Sequence, residues 1–298
     1  MWRSEGSGRT GSRAVRSHGD LQSWKKRLAG GVFSGCVVYG RWWVGLEEVY
    51  GRRAQRLLIE GRGMGKILVL SATSFEQQVL QKRVEDVVRQ VVVGREWVRG
   101  KIAGREVLLV ETGIGAVNTA HALTCVLQAV RPDWVLQLGI GGAYPGSGLA
   151  IGDVALASEE CYGDLGVRTG EGWQGAELIG IPVLEKGERY FNRFPLDREW
   201  LQKAASILPD AKVGAFVTVQ ECSGTDALGI ERGERFAAVC ENMEGAAAAH
   251  LCALYEVPFV EVRAMSNRVE ARNRDTWDLS LALGEVQAAA MRLLEEGL

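Results

Sequence analysis

The stretch Glu241–Asn267, ENMEGAAAAHLCALYEVPFVEVRAMSN, limits most severely what this chain can fold into. Its four consecutive alanines, Ala246–Ala249, with Leu251 and Leu254, make a strongly helical run. Val257-Pro258 stops that helix, and Phe259, Val260 and Val262 then suit the interior of a strand. Polar residues stand at the two ends of the unit: Glu244 opens the apolar helix, and Ser266-Asn267 lie where the strand runs out. In open α/β sheets ligands bind beyond the carboxyl ends of the strands. A carboxylate there suits the oxygen-rich face of a ligand, and an amide suits its ring. Each residue also has a plainer account. Glu244 can be a helix cap worth about 0.3–1 kcal/mol, and Ser-Asn after a strand can be a turn.

The segments before this unit predict an α/β chain. Lys66–Ala72 is a short apolar run of the kind found in buried first strands. After it Ser74 can cap a helix and Glu76 can sit in its first turn; alternatively Glu76 hangs over the same sheet edge as Glu244. Val91–Val98 and Glu106–Glu111 flank Arg99–Arg105, which predicts antiparallel strands with a polar turn between them. Thr112-Gly113-Ile114-Gly115 opens a helix over Ala116–Val130, with glycines that let a ligand approach the backbone closely. Trp134–Leu138 is a further strand, followed by a glycine loop, Gly139–Tyr144, whose Gly139, Gly141 and Gly142 can lie against a flat ring.

Ile151–Ala157 reads as the next strand, and a loop-rich insert then runs to Leu196. The insert carries an aromatic cluster at Tyr190–Pro195 that local packing explains best. Asp197–Leu208 predicts a helix and Lys212–Val219 a strand, so Gln220–Gly224, with Cys222 and Ser223, forms another carboxyl-end loop. Trp277–Leu298 predicts an amphipathic closing helix.

A break in composition falls near Met64. Residues 1–63 hold 12 Lys and Arg against 5 Asp and Glu, whereas the remainder holds 23 against 32. The first segment also contains 12 of the 38 glycines and shows no sustained period. Its runs Gly31–Tyr39 and Trp42–Val49 are too short and broken to span a membrane. A targeting signal and a basic nucleic-acid arm both fit less well than a non-native or disordered extension ahead of a start at Met64. One domain, 64–298, is expected after it. The six cysteines (36, 125, 161, 222, 240 and 252) lack a Cys-x-x-Cys pair, so free thiols in a reducing, cytoplasmic setting are expected. Histidines 18, 121 and 250 lack metal-ligand spacing, and neither a metal nor a cofactor is assigned.

The Met243-Glu244 helix and the Arg263-Ala264-Met265-Ser266 strand resemble, in residue type and spacing, those of the nucleoside phosphorylase and nucleosidase superfamily. Thr112-Gly113-Ile114-Gly115 and the Gly152-Asp153-Val154 strand resemble the same family. The resemblance covers Met64 to the C-terminus. It implies a three-layer α/β/α fold with a central mixed β-sheet, a small-molecule nucleoside as partner rather than nucleic acid or membrane, and a homo-oligomer. By the same resemblance Glu76 is the water-activating glutamate, Glu244 binds the ribose hydroxyls over Met243, and Asn267 addresses the base. Gly113, Ile114, Gly139, Gly141, Gly142, Cys222, Ser223 and Ser266 are the further substrate-binding candidates.

Residues 263–269, with Arg274-Asp275 and Trp277, look most like a hydrolase branch that releases hypoxanthine. A branch acting on adenine nucleosides carries Asp where Asn267 stands. Phosphorolysis fits less well, because the phosphate-binding arginine loop of phosphorylases is replaced by Gln137-Leu138-Gly139-Ile140. A nucleoside-binding protein without catalysis is the remaining alternative, which the presence of both Glu76 and Glu244 disfavours.

Overall fold

A computed structural model describes residues 66–298; segment 1–63, Met64, Cys36 and His18 lie outside the described residues. The chain enters through β1 (Lys66–Ser71), a 3-10 turn at Ser74–Glu76 and a short α1 (Gln78–Arg83). Next come β2 (Glu85–Val92), β3 (Arg95–Ile102), β4 (Arg105–Glu111) and α2 (Ala116–Ala129). β5 (Trp134–Ala143) and β6 (Val154–Tyr162) precede three small elements of the insert: the hairpin β7 (Gly166–Thr169) with β8 (Gly172–Gly175), the hairpin β9 (Leu184–Lys186) with β10 (Glu188–Tyr190), and β11 (Arg193–Pro195). The last third is α3 (Arg198–Ile207), β12 (Lys212–Thr218), α4 (Asp226–Phe236), β13 (Ala238–Asn242), α5 (Gly245–Tyr255), β14 (Phe259–Arg268) and α6 (Leu279–Glu295).

The main sheet is mixed and runs β11-β6-β12-β13-β5-β1-β4-β3-β2. β14 lies off that path and pairs in parallel with β5 and antiparallel with β6. The strands β5, β13, β12, β6 and β14 therefore close into a ring, each bonded to the next. Helices cover the sheet in the three-layer arrangement expected: α2 packs on α5, while α6 packs on β14 and β5 with α3 and α1 beside it. The core under α6 is aliphatic, with Val69, Leu80, Leu109, Leu136, Val262, Val286 and Leu293 all buried. Among the described residues no helix is long and apolar enough to cross a membrane.

Two local expectations are corrected. The polar turn placed at Arg99–Arg105 is mostly strand: β3 continues to Ile102, and the reversal is confined to Ala103 (φ 49°) and Gly104 (φ 76°). Two residues of positive φ make the tight hairpin turn whose twist matches its strands. The glycine loop placed at Gly139–Tyr144 is instead the second half of β5, paired with Arg263–Arg268 across a bulge between Met265 and Asn267. Its glycines thin the strand rather than turn it. A Cβ on Gly139 would lie 2.8 Å from Arg263 Nη1, and one on Gly141 2.4 Å from Cys240 Sγ.

Candidate active site

The sheet's topology brings the ends of β1, β5, β13 and β14 to one place. Glu76 sits in the turn after β1 and is buried. Its Oε2 accepts from the N–H of Thr73 at 2.9 Å and from Thr73 Oγ1 at 3.1 Å; its Oε1 accepts from the N–H of Ile140 at 3.1 Å. Thr73, not Ser74, occupies the capping position of this turn. Burial pushes the Glu76 carboxyl above its usual range, against the opposing pull of the Arg263 guanidinium and the bond from Ile140. A carboxylate held slightly reluctant to ionise is a better proton acceptor near neutral pH than an exposed one.

Glu244 occupies the N-cap position of α5, but its side chain does not cap that helix. Oε1 accepts from the N–H of Gly115 at 3.0 Å, and Oε2 lies 3.2 Å from Arg263 Nη2. Arg263 also donates from Nε to Glu261 Oε1 at 2.7 Å and from Nη1 to the Ile140 carbonyl at 2.9 Å. Burial alone would weaken its hold on the proton, yet the charges of Glu261 and Glu244 outweigh that and raise its pKa. The guanidinium thus spans the two carboxylates with its fixed fork, as a planar donor set can.

Asn267 stands half-buried at the far end of β14. Its Nδ2 donates to the Arg268 carbonyl at 2.9 Å, and its Oδ1 accepts from Ser266 Oγ at 2.9 Å. A carbonyl can only accept, so the orientation of the amide follows from this pairing. Nδ2 keeps a second N–H for a ligand. Gly142 makes the room, since a Cβ there would lie 3.2 Å from Asn267 Nδ2 and 2.7 Å from Val269 Cγ2.

Glu76, Glu244 and Asn267 line one cavity of about 410 Å³. Ile114, Gly141, Gly142, Cys222, Ser223, Met243 and Ser266 line it with them. Gly139 is behind the wall, where its missing side chain lets Arg263 and Glu76 approach. Gly113 is at φ 87° with the Arg95 guanidinium stacked against it, so a Cβ would lie 2.5 Å from Arg95 Nη2. Neither lines the cavity. The insert aromatics are also elsewhere: Phe194 stacks on Tyr190 and on His250, with ring centroids 5.2 Å and 4.8 Å away.

Sequence reasoning gave no role to Arg263 or to Phe75, Arg272, Trp277 and Leu283, which also line the cavity. A signal for Arg263 was present in the strand Phe259–Arg268. Glu261 and Arg263 alternate there at the two-residue period of one strand face, inside an otherwise apolar run. The two pair directly, and the guanidinium's remaining donors need further acceptors, here the Ile140 carbonyl and Glu244. The wall formed by Trp277, Leu279 and Leu283 comes from the start of α6 and the residues just before it, distant in sequence from Glu76, and nothing local announces it.

The phosphorylase superfamily matches residues 66–296. The futalosine hydrolase of Thermus thermophilus is 38% identical over 196 residues, which is 65% of this chain and 84% of that protein. A 5′-methylthioadenosine/S-adenosylhomocysteine nucleosidase of Bacillus anthracis is 28% identical over 244 residues, 78% of this chain and 99% of its own length. Among solved structures, the S-adenosylhomocysteine nucleosidase of Streptococcus pyogenes superposes with a TM-score of 0.69 at 23% identity, covering 79% of this chain and 98% of that one. A futalosine hydrolase mutant of Helicobacter pylori gives 0.68 at 19% identity, covering 78% and 100%. Likeness at that identity speaks for the fold.

Proposed function

The chain belongs to the phosphorylase superfamily, and from that premise we propose that it is a futalosine hydrolase of menaquinone biosynthesis. It is an N-glycosidic hydrolase, a nucleosidase, by its relatives. In the proposed reaction the C1′–N9 bond of futalosine breaks with its electron pair going to the base. Water bonds to C1′ and gives up one proton to Glu76, and one proton passes to a ring nitrogen of the departing base, which leaves as neutral hypoxanthine. The products are hypoxanthine and dehypoxanthine futalosine.

Breaking this bond builds positive charge on the ribose, so the protein must hold the sugar, activate water and stabilise the departing base. Glu76 orients the water and takes its proton. Glu244 accepts from the 2′- and 3′-hydroxyls with the lone pairs that Gly115 and Arg263 leave open, above Met243. Asn267 donates to the purine.

Asn267 is the observation that carries the substrate assignment. A 6-oxopurine presents two acceptors, N7 and O6, to that edge, and an amide N–H₂ is their complement. Adenine presents an acceptor and a donor, which an ionisable carboxyl serves better. Mismatched polar groups in a site can reject the wrong base by about 10⁴–10⁵. The test is base release with and without phosphate: hypoxanthine from futalosine and from inosine, and adenine from 5′-methylthioadenosine. Phosphate-independent cleavage of futalosine is expected. Preferred cleavage of methylthioadenosine would instead assign the chain to the nucleosidases it matches at 28% identity.

The same reading places the enzyme in the cytoplasm as a homo-oligomer. The five free thiols among the described residues fit a reducing compartment, and the exposed Phe75, Ile114 and Val117 near the cavity offer apolar surface to a second copy.

A further inference from the structure

Behind the cavity wall lies a second set of carboxyls that the chemistry above does not use. Glu160 on β6 and Glu261 on β14 are both fully buried. They meet at Gly245, where a Cβ would lie 2.0 Å from Glu160 Oε1 and 2.4 Å from Glu261 Oε2. Three of their four oxygens have donors. Asn242 Nδ2 donates to Glu160 Oε1 at 2.6 Å. Thr218 Oγ1 and the N–H of Cys161 reach Glu160 Oε2 at 2.9 and 3.1 Å. Arg263 Nε serves Glu261 Oε1. With both groups written as anions, Glu261 Oε2 has no donor at all. A buried anionic oxygen without a donor, facing a second carboxylate, is strongly disfavoured.

We propose that Glu160 and Glu261 share one proton, and that the pair is a positioning device for Glu244, a role that rests on the ribose-binding reading of that residue. The proton sits on Glu160 Oε1 and is donated to Glu261 Oε2; no bond to carbon forms or breaks. Burial and the Glu261 charge push the Glu160 carboxyl well above its usual range, which agrees with this placement.

The pair acts along two arms. Glu261 fixes Arg263, whose Nη2 meets Glu244 Oε2. Glu160 fixes the amide of Asn242, whose Oδ1 accepts from the N–H groups of Glu244 at 2.9 Å and Gly245 at 2.8 Å. Side chain and backbone of Glu244 are thus set from the same proton. The titratable and charged groups facing the pair are Arg263 on β14, Cys240 on β13, Glu244 at the start of α5, and Cys161 and Tyr162 on β6 itself. Burial pushes both thiols and the Tyr162 phenol up, so they stay neutral and Arg263 is the single cation among them.

The arrangement is asymmetric, and that makes it testable. In Glu261→Gln the new Nε2 donates to an ionised Glu160 while Oε1 still serves Arg263, so every hydrogen bond survives without the proton. In Glu160→Gln an amide nitrogen at the Oε1 position donates to Glu261 but cannot accept from Asn242.

Kinetics on the cleaved nucleoside should show E261Q within about threefold of the native kcat/KM. E160Q and E261A should each lose about 10² through misplacement of Glu244. The alkaline limb of the native pH profile should move up or vanish in E261Q.

Infrared spectroscopy reads the proton without substrate. In E76Q at about pH 8, where ordinary carboxyls are ionised, a buried carboxylic C=O stretch should remain, and it should vanish in E76Q/E261Q. No such band in E76Q would overturn the shared proton. So would E261Q as damaged as E261A, or an unchanged alkaline limb. Because the band needs no turnover, an inactive native enzyme would count against the functional reading and leave this test intact.

Discussion

Arg263 Nη2 lies 3.2 Å from Oε2 of Glu244, with both side chains buried. The carboxylate assigned to the ribose is therefore paired with a cation before any substrate arrives, and its geometry is set by a guanidinium that also holds Glu261. Removing one partner of such a buried pair costs far more than the pair itself contributes, because an uncompensated charge remains. Arg263→Met should lower the unfolding free energy by about 3–5 kcal/mol. Urea unfolding measures it, and a loss below 1 kcal/mol would mean that solvent reaches Glu244 and Glu261.

Glu76→Gln should keep substrate affinity and lose about 10²–10⁴ in turnover, the usual worth of a positioned base. A near-native rate would move the role to another group.

The raised pKa of Glu76 has two consequences of fixed sign. A base must be ionised to accept a proton, so native activity should fall with decreasing pH through a value above the ordinary carboxylate range, near 4.3. Folded protein holds this proton where unfolded chain has released it. The stability contributed by Glu76 is thus full below about pH 4.3 and declines as pH rises through the folded value. Thermal melts across pH should show a shallower decline in Glu76→Gln than in the native protein.

Glu244→Ala should damage binding and turnover together. Two hydrogen bonds to a charged acceptor are worth about 1.5–3 kcal/mol each, so kcat/KM should fall by about 10²–10⁴. If only the melting temperature changed, Glu244 would be a structural residue of the α5 start.

Asn267→Asp replaces a double donor with a group that is ionised at neutral pH, its ordinary pKa being about 3.9. It would repel the lone pairs of O6 and N7. Partial burial raises that pKa, so some donor character should return as pH falls. Rates on futalosine and on methylthioadenosine across pH should show a loss of at least about tenfold on futalosine at neutral pH. Partial recovery in acid should accompany it. A flat response with unchanged futalosine cleavage would remove Asn267 from the base.

How much was legible in the sequence differs between the elements and the contacts. The helix and strand of 245–268 followed from alanine content, the Val257-Pro258 stop and the apolar run after it. The cavity-lining positions Glu76, Glu244 and Asn267 were visible as polar residues at element ends. Gly139–Ala143 misled because glycine usually marks a turn, whereas here absent side chains admit Arg263 and Cys240 against an extended backbone. The meeting of Glu160 with Glu261 had no sequence signal either. It depends on β6 and β14 becoming antiparallel neighbours a hundred residues apart, which only the closed ring enforces.

That ring governs how the protein can loosen. Glu160, Asn242, Glu261 and Arg263 hang from strands bonded on both sides, so none of them can fray from a free edge, whereas Asn267 is paired with β5 alone because β6 joins β14 only at Val262–Ala264. Breathing must instead occur in the segments that only lean on the ring, the turn at Thr73–Glu76 and the start of α6 near Leu279. In heavy water the amides of Val217, Thr218, Val262 and Ala264 should exchange only when the whole molecule opens, while those around the cavity mouth exchange by local openings. Entry of a ligand and the seating of Glu160, Glu261 and Arg263 thereby fall to different parts of the chain, while Glu76 rides on the segment that opens.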